Sequence, residues 1–114
     1  MLLQVETKKI EPDIMVVEMT GRVQLGAESR ELEKTVQEIL GRGTRKVILN
    51  LAAVQYLDST GIGTIAVCFS LVKKAGGSMR IAGAAGRIWQ LFQMTKLDTV
   101  LPFSPSVEEA AKVL

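Results

Sequence analysis

The chain contains no histidine. That removes the Ser-His-Asp arrangement, and with it the commonest zinc ligand and general base. It has one cysteine, Cys68, so no disulfide can form within the chain and a reducing compartment, the cytoplasm, is the expected home. Three Phe, one Trp and one Tyr give little material for stacking on nucleic-acid bases. The longest apolar run, Ile62 to Val72, contains Thr64 and Ser70 and is too short to span a bilayer, so no membrane insertion is expected. The opening MLLQVETKKI lacks the apolar segment of a signal peptide.

What is present describes a globular domain. The 114 residues are 47% hydrophobic and 23% charged, enough to build one core and too few to suggest two. A net charge of +2 comes from separated pairs, Lys8/Lys9, Arg45/Lys46 and Lys73/Lys74, with acids spread between them. Such spacing reads as solvated surface rather than a nucleic-acid patch.

The hydrophobic period changes along the chain. Residues 2–10 and 13–19 alternate as strands around EPD and predict an antiparallel pair. From 27 to 41, Leu32, Val36, Ile39 and Leu40 recur at helical spacing, closed by GRGTR. KVILNL (46–51) reads as a central strand, followed by a helix to Lys74 that Gly76 and Gly77 stop. SMRIAG predicts a fourth strand, Ile88, Leu91 and Phe92 a third helix, and TVLPF a short strand. SVEE is a capping box, with Ser106 accepting from the third helical amide and Glu109 reaching back, and Val107, Ala110, Ala111 and Leu114 face inward on a last helix. The prediction is one α/β domain over 1–114, a mixed sheet of about five strands with about four packed helices.

This order places YLDSTGIGTI, Tyr56 to Ile65, where a strand ends and a helix begins. Free amides and the helix dipole favour negative charge there, while Asp58, Ser59 and Thr60 are each competent caps. Ser59 could cap, hold a phosphate, receive one or attack a substrate, and the pattern leaves these open. A hydrolytic role has little support, because no lysine lies close in sequence to act as its base. In the helix that follows, Ile62, Ile65, Ala66, Phe69 and Val72 are expected inward. The opposite side, Thr60, Gly63, Thr64, Val67 and Leu71, is small and apolar where a surface helix would be charged; it is either covered by the fold or left for a partner. Cys68 has no base near it in sequence and reads as structural. GGSMRIAGAAG lacks the lysine of a phosphate loop and reads as turn and tight packing, and Trp89 reads as a helix-to-sheet packing residue.

VILNLAAVQYLDSTGIGTI resembles the signature of the STAS family, the anti-sigma factor antagonists and their relatives: a hydrophobic strand, linking residues, then D-S-[ST]-G-hydrophobic-G. The resemblance extends to MTGR, GGSMRIAG and LFQMTKLDTVLPFSPSVEEA, and so to essentially the whole chain. It implies that Ser59 is a phosphoacceptor, that Asp58 shapes and caps the loop, and that Gly61 and Gly63 permit close approach. Thr60, Thr64, Val67 and Leu71 would extend the partner surface. The implied partners are an anti-sigma factor that is also an ATP-dependent serine kinase, and a serine phosphatase that resets the switch. On this reading the chain is not itself an enzyme, needs no cofactor or metal and makes no direct contact with nucleic acid; weak homo-oligomers are the one self-association it leaves open. Antagonists commonly carry an aspartate two residues after the position of Arg22, where this chain has Gln24, which can hydrogen-bond but brings no charge. The alternative within the same fold is a non-switching accessory or scaffold, such as the STAS subunit of a lipid-transport ATPase or of a stress-signalling assembly.

Overall fold

In the computed structural model, which describes residues 3–23 and 27–114, five strands form one sheet in the order β1-β2-β3-β4-β5. β1 (Gln4–Ile10) and β2 (Ile14–Val23) pair antiparallel, as the alternation predicts. β2, β3 (Lys46–Leu57), β4 (Ser78–Ala82) and β5 (Phe103–Ser104) then run parallel. The crossovers are α1 (Ala27–Gly41), α2 (Ser59–Lys74) and α3 (Gly86–Met94), and α4 (Val107–Lys112) follows the last strand. Gln24 lies outside the described residues.

Because each parallel strand is added on the same side of the one before, right-handed crossovers must put α1, α2 and α3 on one face. The core follows that rule. Val17, Met19, Val47, Leu49, Met79 and Ile81 point from the sheet to Leu32, Val36, Ile65, Val72, Ile88 and Phe92. The other face holds a smaller cluster, in which Ala110 of α4 is buried with Ile14, Val16, Ile48 and Ala82. Trp89 and Phe92 meet the ring of Phe103 edge-on, with centroids 5.0 and 4.9 Å apart, which seats α3 against the edge of the sheet.

Three elements differ from the periodicity. β3 continues six residues beyond KVILNL, to Leu57. Its pairing with β2 slips twice, between Glu18 and Thr20 and between Gly21 and Arg22, each time with an extra residue on β3. Each bulge reverses the alternation, so Leu51, Val54 and Leu57 face the core at a spacing of three, which reads as neither strand nor helix. β5 is only two residues, and Thr99 to Leu101 fall in the turn before it. At α4, Ser106 Oγ accepts from the Glu109 amide at 3.2 Å, but the Glu109 carboxylate lies 3.4 Å from Lys112 Nζ, an exposed pair on the same helix, instead of reaching back.

Candidate functional site at the start of α2

The end of β3 is held by a backbone bond, the Asp58 amide donating to the Val23 carbonyl at 3.3 Å. Asp58 is extended, and its Oδ1 accepts from the Gly61 amide at 2.7 Å, while its carbonyl accepts the first helical bond from Ile62. Asp58 is therefore the N-cap. Ser59 is the first helical residue, exposed, and among the described residues its hydroxyl makes no hydrogen bond. Of the three competent caps, the acid takes the task and the serine is left presented to solvent. Thr60 is exposed too, and its carbonyl accepts from the Thr64 hydroxyl at 3.1 Å.

Two glycines in the first two turns cost a helix about 1 kcal/mol each. Burial of Ile62, Ile65 and Val72 outweighs this, since each such side chain contributes roughly 1.5–3 kcal/mol. Gly61 and Gly63 do different things. Gly61 is buried, and a Cβ there would stand 2.7 Å from both the Val23 carbonyl oxygen and Leu57 Cδ1. The close approach that Gly61 permits is between α2 and the chain's own strands β2 and β3. Gly63 is exposed, with open space around its Cα.

The inward stripe of α2 is Gly61, Ile62, Ile65, Cys68 and Val72; Ala66 and Phe69, expected inward, are half-buried. The helix is turned toward α1, its neighbour on the same face. That rotation buries the Cys68 thiol, whose pKa is pushed up to about 12, first by loss of solvent and then by the charge of Glu33 on α1. On the outer side Val67 is 45% exposed, Thr64 and Leu71 are half-buried, and Thr60 and Gly63 are open. The small apolar stripe is thus a surface, bordered on one side by α1.

Ser59 also borders a groove of about 600 Å³ that the sequence reading did not foresee. One wall is Gln55, Tyr56, Leu57 and Asp58; the other is Arg87, Gln90, Leu91 and Met94 on α3. Arg22 on β2 lies over the Tyr56 ring at 4.2 Å from its centroid. The signal was topological: α2 and α3 each follow a parallel strand, so both begin at the same edge of the sheet.

A family profile described as the STAS domain matches residues 5–110. The chain belongs to the STAS domain family. It is 32% identical over 108 residues to the anti-sigma-B factor antagonist of Bacillus subtilis (strain 168), covering 95% of this chain and 96% of that protein. Among solved structures, an anti-sigma factor antagonist from Mycobacterium paratuberculosis superposes with a TM-score of 0.85 at 18% identity, covering 97% of this chain and 92% of that one. The Bacillus cell fate determinant SpoIIAA in its phosphorylated form superposes at 0.73 with 13% identity, covering 97% and 100%. At such identities these two structures speak for the fold, and the curated relative for the anti-sigma factor antagonist family. No helix among the described residues is long and apolar enough to cross a membrane.

Proposed function

We propose that this STAS domain is a partner switch: unphosphorylated, it binds an anti-sigma factor of the serine-kinase type and releases a sigma factor, and phosphorylation of Ser59 ends that binding. The observation that carries the reading is the division of labour at the start of α2. Asp58 performs the cap and leaves the Ser59 hydroxyl solvent-exposed and unengaged, as a phosphoacceptor must be. The relation to an anti-sigma-B factor antagonist supports the partner class, and SpoIIAA, of the same fold, has been obtained in a phosphorylated form. The partner surface would be the Ser59 edge with Thr60, Gly63, Thr64, Val67 and Leu71.

A phosphate adds about −1.5 to −2 charges at a position where helix amides tolerate them, so the isolated domain keeps its fold. The partner must desolvate that charge. An uncompensated charge at an interface costs roughly 2–5 kcal/mol, or about 30-fold to several thousand-fold in affinity.

The kinase and the phosphatase are the enzymes of this scheme, and the chain is their substrate. Incubation with the cognate kinase and Mg-ATP should add one phosphate, mapped by mass spectrometry to Ser59 and not Thr60. Calorimetric titration should then show tight binding by the unmodified and Ser59→Ala proteins, weaker binding by Ser59→Asp and weakest by the phosphorylated form. Partner binding without any phosphate on Ser59 would point instead to a non-switching accessory subunit, and equal affinity of the phosphorylated and unmodified forms would end the switch.

A further inference from the structure

We propose that Arg87 receives the phosphoryl group carried on Ser59, forming a clasp across the groove between α2 and α3; this rests on Ser59 being the phosphoacceptor. The two residues line the same groove, Ser59 from the start of α2 and Arg87 from the start of α3. Arg87 is the only cationic side chain among the groove-lining residues, is exposed, and makes no hydrogen bond or ion pair among the described residues. Among the residues that line the groove the charged ones are Asp58, whose Oδ1 accepts from the Gly61 amide, and Arg87 on α3. Arg22 approaches from β2 but is stacked over the ring of Tyr56 and does not line the groove.

The placement of Arg87 follows from the backbone before it. Gly83 and Gly86 both have positive φ, +76° and +55°, so the link from β4 into α3 takes a path that side chains rarely allow. That path puts Arg87 second in α3, among the residues that line the groove, where its guanidinium has no hydrogen-bond or ion-pair partner among the described residues.

Before modification, Asp58 and Arg87 balance and the groove carries no net charge. A phosphoserine leaves it strongly negative, and a planar guanidinium fork is the group best suited to bind two phosphate oxygens at once. The clasp would hold the phosphate on α3 and shield it from a phosphatase. It would also cover part of the groove that the unphosphorylated form leaves open.

The test uses the full chain with phosphoserine installed at position 59 during translation, so no kinase is required. Phosphorus NMR reads the second pKa of the phosphate. It should lie about one unit lower in the parent than in Arg87→Gln, with Arg87→Lys between them. Lys73→Gln removes the same charge at the far end of α2 and should match the parent. An alkaline phosphatase should release the phosphate several-fold faster from Arg87→Gln. If Arg87→Gln titrates with the parent, or Lys73→Gln shifts as far as Arg87→Gln, the clasp is overturned. Superposable amide spectra of the unmodified Arg87→Gln and parent proteins establish that only the contact was removed. A chain that no kinase modifies would overturn the switch yet leave this result standing, so the two failures are separable.

Discussion

The Asp58 carboxylate accepts the Gly61 amide at 2.7 Å, and this one bond assigns the polar residues of the DST triplet. A cap must turn its side chain back over the first turn. A phosphoacceptor, the role proposed for Ser59, must turn its own outward, and the cap at Asp58 leaves the Ser59 hydroxyl exposed to do so.

Removing the cap should therefore affect folding. Asp58→Ala should lose about 1 kcal/mol of stability, with Asp58→Asn close to the parent, since asparagine caps nearly as well. Urea denaturation measures both. An Asp58→Ala protein as stable as the parent would mean that the Gly61 amide has another acceptor.

The glycines of the signature should respond oppositely. Gly61→Ala forces a methyl against a backbone oxygen that cannot rotate away, and should cost about 1–3 kcal/mol. Gly63→Ala meets open space inside a helix and should gain up to about 1 kcal/mol. Thermal melts of the two variants side by side decide it, and a destabilised Gly63→Ala would contradict the open surface at that position.

Most of the fold was legible because hydrophobic period reports which face is buried. Val36 and Ile39 betray α1, the alternation in IMVVEM betrays β2, and the element order with right-handed crossovers fixes the layers. The far end of β3 was not legible, because its two bulges turn the alternation into the three-residue spacing of Leu51, Val54 and Leu57. The rotation of α2 was missed for a related reason. A wheel counts side chains, and Gly61, the residue that lets the helix sink onto Val23, has none. DSTG marks the candidate site in the sequence, but the α3 wall of the groove lies nearly thirty residues further on and is brought there only by topology.

The buried thiol gives a pH dependence of defined sign. Cys68 has its folded pKa raised to about 12 from 9.0, so above pH 9 the unfolded chain releases a proton that the folded chain keeps. Stability contributed by the neutral thiol is complete below pH 9 and is lost as pH rises toward 12, with a slope of up to about 1.4 kcal/mol per pH unit. The readout is the difference between parent and Cys68→Ala across that range. The same burial should leave the native thiol unreactive toward iodoacetamide at pH 8 until denaturant is added. Parallel stability curves for the two proteins would show that Cys68 is ionised with equal ease in both states.

Val67 tests whether the outer stripe of α2 is a surface held for a partner. Its side chain is 45% exposed, yet its neighbours along the stripe are Gly63, Thr64 and Leu71 rather than the charged residues of an ordinary solvent face. A glutamate placed at Val67 can reach water, so melting should be within about 0.5 kcal/mol of the parent. The same glutamate set against a partner would bury an unpaired charge at the centre of the contact, and binding should fall by about 2 kcal/mol or more, roughly 30-fold. Phosphorylation at Ser59, four helical positions from Gly63, should fall with it if the kinase docks on this stripe. Calorimetry with the anti-sigma partner, thermal melts and initial rates of phosphate transfer separate the outcomes. A large loss of melting temperature would place Val67 in the core, against its exposure. Unchanged affinity with unchanged melting would move the interface off α2 and onto the α3 side of the groove.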